Sequence, residues 1–116
     1  MKRTNRSLRD SDAVDSYLDH LQVARRLSHH TLESYGRDLG WLCRFASDQK
    51  LAVVKLNRKH LDSLVRKTME AGFSPRSVAR MVACVRGFYR FLFLDRQLAI
   101  NPAEDLRAPR ANRTLP

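Results

Sequence analysis

Residues 74–94, SPRSVARMVACVRGFYRFLFL, constrain this chain more than any other stretch. Ser74 has the hydroxyl that suits a helix N-cap, and Pro75 follows at the first helical position, where a missing N–H costs nothing. Val78, Met81, Val82, Val85, Phe88, Tyr89 and Leu92 then recur at helical spacing, so one long helix with a wide core-facing side is predicted. Arg76 and Arg80 lie four residues apart, and so do Arg86 and Arg90. Side chains at that spacing share a helix face. Between Ser74 and Arg96 there are five arginines and one acid, Asp95. Such a helix can hold a bundle together and also present cations to a polyanion.

A length of 116 residues suits one domain with a modest core. The net charge of +10 points to an anionic partner, for which nucleic acid is the leading candidate. A membrane surface fits less well, because the basic residues are spread over several segments. No apolar run is long enough to cross a bilayer, and the N-terminal MKRTNRSLRDSD lacks the apolar core of a signal peptide. A cytoplasmic location is expected. Cys43 and Cys84 sit in helical patterns without a CxxC or HxxH pair, so no metal site and no cofactor is predicted. Two free thiols are the expected state in a reducing compartment.

In chain order, residues 1–10 read as a disordered basic tail. Ser11 is the expected cap of a first helix from Asp12 to Leu27, with Val14, Tyr17, Leu18, Leu21 and Ala24 inward. Asp12 and Asp15 would lie in its first turn and Arg25 and Arg26 in its last, matching the helix dipole. Ser28 offers a second N-cap and Thr31 a further one, so a second helix starts at His29 or Thr31 and runs to Asp48, with Leu32, Tyr35, Leu39, Leu42 and Ala46 on its core side and Trp41 and Phe45 on an adjoining face. Gly36 and Gly40 allow a close approach, either by another helix or by a nucleic-acid backbone. Gln49 to Leu56 is a connector. Asn57 caps a third helix from Arg58 to Ala71, with Leu61, Leu64, Val65 and Met69 buried and Gly72 ending it. The fourth helix extends from Pro75 to Gln97. A helical turn over Ala103 to Leu106 precedes a basic, proline-bearing linker. The fold class is all-α, a compact four-helix bundle over residues 11–100, with residues 101–116 as linker towards a further domain. His20 and His60 receive no role.

Two patterns carry a family resemblance. The first is S-x-x-T-L-x-x-Y-x-x-D-L over Ser28, Thr31, Leu32, Tyr35, Asp38 and Leu39. The second is S-x-x-S-x-A-R-x-x-x-x-V-R-x-F-Y-x-F-L over Ser74, Ser77, Ala79, Arg80, Val85, Arg86, Phe88, Tyr89, Phe91 and Leu92. Asn101-Pro102, Pro109 and the terminal Leu115-Pro116 follow. In order and spacing these resemble the N-terminal core-binding (SAM-like) domain of tyrosine recombinases, of the phage integrase and Xer type, over residues 11–116.

The resemblance implies one half of a C-shaped clamp around a double-stranded DNA recombination site. It implies neighbouring recombinase protomers as further partners, and an isolated domain that is monomeric. It places Thr31, Ser34 and Arg37 of the second helix and Arg76, Ser77, Arg80 and Arg86 of the fourth at the DNA. The catalytic Arg/Lys/His/Arg set and tyrosine nucleophile of the family belong to another domain. No HxxR occurs here, so this fragment is expected to bind DNA and cut nothing. Glu33 stands where some relatives carry a basic contact. Cys84 and Gly87 continue the Arg76/Arg80 stripe without a polar group.

The residue chemistry points the same way. Ser34 and Arg37 lie off the apolar stripe of the second helix, and Arg76 and Arg80 off that of the fourth, near its N-terminus, where dipole and capping hydroxyls suit phosphate. Arginine can fork onto guanine O6 and N7, whereas Ser and Thr usually hold phosphate. Each arginine could equally be a solvated surface residue, and Arg86 could pair with Asp38 or Asp62 inside the bundle. The alternative function is a helical protein–protein module.

Overall fold

The computed structural model describes residues 9–109. The basic stretch before Arg9 and the segment from Arg110 to Pro116 lie outside the described residues. Four α-helices follow in order: α1 Asp10–Ala24, α2 His29–Asp48, α3 Arg58–Glu70 and α4 Pro75–Leu94, with a 3-10 turn at Val53–Lys55. Among the described residues there is no strand. The chain is all-α, as its periodicity predicts. It divides into two units, residues 1–55 and residues 56–116.

In the first unit α1 packs on α2. Ala13, Tyr17 and Leu21 of α1 are buried, as are Leu39, Leu42, Phe45 and Ala46 of α2. A methyl group at Gly36 would stand 3.9 Å from Leu18 Cδ1, so the open space at this glycine is met by the neighbouring helix. α1 begins two residues before the expected Asp12. Its cap is Arg9, which makes no side-chain cap bond, so Ser11 does not serve as the cap. The first helical residue bonds elsewhere: the Val53 N–H donates to Asp10 Oδ1 at 3.1 Å. That carboxylate ties the start of α1 to the 3-10 turn, across 43 residues of sequence. The helix also stops early, and Arg25 and Arg26 lie beyond its last turn. Ala24 is exposed, against expectation.

In the second unit α3 packs on α4. α3 opens with a reciprocal capping box. Asn57 Oδ1 accepts from the His60 N–H, and His60 Nδ1 accepts from the Asn57 N–H, both at 3.0 Å. His60, left without a role by the sequence reading, therefore fills the place usually taken by Glu or Gln. Leu61, Leu64 and Val65 are buried. So is Thr68, whose hydroxyl donates to the Val65 carbonyl at 2.7 Å, while Met69 faces outward. All seven expected core residues of α4 are buried, with Cys84 as an eighth. Phe88 and Tyr89 meet edge to face, with ring centroids 5.3 Å apart. Beyond α4, Asn101 Oδ1 accepts from the Ala103 N–H and opens a turn that buries Ala103 and Leu106.

All four helices are followed by a residue with left-handed backbone: Arg26 (φ 54°), Lys50 (61°), Gly72 (95°) and Arg96 (63°). After α2 the Lys50 N–H reaches the Ser47 carbonyl and the Leu51 N–H reaches that of Ala46, both at 2.9 Å. The same pair of bonds closes α3 and α4. These bonds satisfy carbonyls that the helix leaves orphaned. Only Gly72 adopts the conformation without a Cβ penalty; the others are cations, which the negative end of the helix dipole favours. Lys50→Gly should raise the unfolding free energy by about 0.5–1 kcal/mol. The check is the urea midpoint, with an unchanged dependence on denaturant.

Candidate nucleic-acid interface

α2 and α4 start in the same way. Ser28 and Ser74 share backbone angles (φ −65°, ψ 157°) and cap their helices through the side chain. Ser28 Oγ accepts from the Thr31 N–H at 3.1 Å and donates to Thr31 Oγ1 at 3.0 Å. Ser74 Oγ accepts from the Ser77 N–H and donates to Ser77 Oγ, both at 3.1 Å. Thr31 and Ser77 are thus held as acceptors by the cap, which leaves each hydroxyl proton available to an outside oxygen. Neither first turn carries an acid, so the partial positive charge of each N-terminus is unopposed there. One turn further, Glu33 lies 3.4 Å from His29 Nε2.

On α2 the guanidinium of Arg37 is exposed, and its Nη2 donates to Ser34 Oγ at 3.2 Å. Thr31 and Ser34 are half-buried. On α4 Arg76 and Arg86 are exposed, while Ser77 and Arg80 are half-buried. Arg76 and Arg80 are therefore not equivalent. The row from Arg76 through Arg80 continues to Cys84, which is fully buried, so it turns into the core. The outward row is instead Arg76, Ala79, Ala83, Arg86 and Arg90.

Asp62 receives Arg58 Nε at 3.0 Å. Arg86 lies on the exposed side of α4, where it borders a concavity of about 300 Å³ with Arg90, Asn101 and Glu104 over Ala83 and Gly87. Sequence reasoning paired Arg90 with Arg86 but gave it no contact, and passed over Arg44, whose guanidinium lies 5.6 Å from the Trp41 ring centroid. The Trp-x-x-Arg spacing, which places both on one helix face, was the available signal.

Other chemistry has little to build on. Among the described residues no group of three or more His, Cys, Asp or Glu could hold a metal ion. No described helix is long and apolar enough to cross a membrane. Tyr17 and Tyr89 are buried. Both cysteines are free thiols. Burial, reinforced by the Asp10 carboxylate, pushes the Cys43 thiol up from its ordinary 9.0 to about 11, so it is not an activated nucleophile.

A sequence model described as "Phage integrase, N-terminal SAM-like domain" matches residues 14–95. The chain belongs to this family. The SAM-like domain is 41% identical over 107 residues to tyrosine recombinase XerC of Xylella fastidiosa (strain 9a5c), covering 91% of this chain and 36% of that protein. It is 40% identical over 105 residues to tyrosine recombinase XerC of Xanthomonas campestris pv. campestris (strain B100), covering 90% of this chain and 33% of that protein. The corresponding protein of Pseudomonas syringae pv. syringae (strain B728a) is 38% identical over 104 residues, covering 89% of this chain and 35% of that protein. The chain thus spans about a third of the length of these relatives. No solved structure matches it at a significant level.

The raised value of Cys43 sets a pH dependence. Between 9.0 and about 11 the folded chain keeps a proton that the unfolded chain releases. The stability tied to the neutral thiol should be complete below pH 9.0 and be lost as pH rises through about 11. Urea midpoints of wild type and Cys43→Ser across that window should converge towards high pH. Alkylation of Cys43 should stay slow at neutral pH.

Proposed function

We propose that this chain is the DNA-binding N-terminal clamp domain of a tyrosine site-specific recombinase, acting in DNA integration and recombination. It would bind a double-stranded recombination site with sequence selectivity and leave strand cleavage to a catalytic domain of the parent protein. In this reading the basic residues ahead of Arg9 are a tail, α1 through the turn that buries Ala103 and Leu106 is the binding domain, and the residues beyond that turn are the linker to that catalytic domain. It acts in the cytoplasm, is monomeric when isolated, and meets neighbouring protomers on the recombination site.

The observation that carries the reading is the common build of the two N-terminal halves. Each combines a serine cap, a cap-bound hydroxyl at Thr31 or Ser77, no acid in the first turn, and arginine within three turns: Arg37 on α2, Arg76 and Arg80 on α4. Arg37 and Arg80 are the candidates for base edges. Thr31, Ser34, Ser77 and Arg76 are suited to phosphate, and Arg86 lies further along α4.

A second reading, a protein–protein module, draws on one feature. Phe93, Leu94 and Ile100, at and beyond the end of α4, are 40, 63 and 77% exposed. The two readings are compatible if these side chains meet a neighbouring protomer.

Binding to duplex DNA should weaken steeply with salt. Neutralising roughly five phosphates gives a slope of log K against log salt near −4 to −5. A flat titration would count against DNA binding. Arg80→Ala should cost about 1–3 kcal/mol and relax selectivity at one position of the site. An equal loss on every sequence would make Arg80 a phosphate contact instead.

A further inference from the structure

Arg44 and Trp41 lie outside the set of residues assigned to DNA above, yet they share a face with Arg37. Seven residues separate Arg37 from Arg44, about 10 Å along the helix axis with a drift of only about 20° in azimuth. Both guanidinium groups are exposed. Between them lies Gly40, where an added Cβ would meet no atom within 4 Å, so the α2 backbone is open to close approach at that point. Each arginine is held by its own helix: Arg37 by Ser34 Oγ at 3.2 Å, and Arg44 over the half-buried indole of Trp41 at 5.6 Å. A guanidinium resting on an indole face keeps its charge and N–H donors while losing little further freedom on binding. Asp48, one turn beyond Arg44, ends the positive run.

We propose that Arg44, presented by Trp41, is a further DNA contact of α2: a backbone phosphate clamp that carries no sequence information. This rests on the DNA-binding reading above. From Thr31 to Arg44 the helix rises about 20 Å, whereas the major groove is only about 12 Å wide. A helix whose N-terminal half sits in the groove therefore carries Arg44 past the groove wall, to the height of the bordering phosphates. Gly40 lets the sugar-phosphate chain pass between the two arginines without meeting a side chain. Arg37 then belongs to the part of the helix that reads bases, and Arg44 to the part that fixes register.

The test uses the 116-residue chain and two short duplexes of unrelated sequence, titrated over a range of salt. Trp41 is the sole tryptophan, so its emission reports directly on this site. The expected results are an emission change that saturates with binding, and an Arg44→Ala variant that binds both duplexes about threefold to tenfold more weakly with a salt slope shallower by about 1. Trp41→Phe keeps a ring face under Arg44 and should retain the wild-type slope. If wild type binds with strong salt dependence and Arg44→Ala keeps the full slope, the clamp is overturned while the DNA reading stands. A loss confined to one duplex would make Arg44 a base reader and also overturn the clamp. If wild type shows no salt-dependent binding, the DNA reading fails and the clamp with it.

Discussion

The burial of one side of α4 decides what the rest of that helix can do. Eight of its side chains, from Val78 to Leu92, are removed from water. At about 25 cal/mol per Å² of apolar surface, this side supplies much of the hydrophobic stabilisation of its unit. A helix anchored along so wide a stripe cannot rotate about its axis without exposing part of it. The azimuth of every arginine on α4 is thereby set. Arg76, Arg86 and Arg90 face outward, and Arg80 is left on the flank beside buried Cys84.

The ends of the helices carry the other half of the account. Serine caps hold the starts of α2 and α4, and left-handed residues close all four helices. Three of the four closing residues are cations, and three of the closures make paired bonds to the last carbonyls. At the starts of α2 and α4 the positive backbone pole and the hydroxyl donors stand with no acid in the first turn, and basic residues follow the ends of α1, α2 and α4. The net charge of +10 is thus distributed by helix geometry as well as by composition.

Features written in adjacent residues were legible before the fold was known. Ser28, Asn57 and Ser74 as caps, Gly72 as a terminator and the apolar stripe of α4 all depend on neighbours within one or two turns. What escaped depends on distant partners or on fine azimuth. α1 starts at Asp10 because that carboxylate meets Val53 from 43 residues away. Periodicity placed Met69 inside, but the helix turns Thr68 inward instead. The hydroxyl tolerates burial because the Val65 carbonyl accepts it. In the candidate site the cap hydroxyls were legible, and the i,i+3 spacing of Trp41 and Arg44 was there to be read, while the half-burial of Arg80 was not. It is set by a rotation of one residue about the helix axis, finer than an apolar pattern resolves.

We propose that the N-terminal halves of α2 and α4 make the main contacts of this domain with DNA. Backbone amide NMR shifts on adding a short duplex test it most directly. The account predicts the largest changes between His29 and Arg37 and between Pro75 and Arg80. Changes confined to α1 and α3 would contradict it.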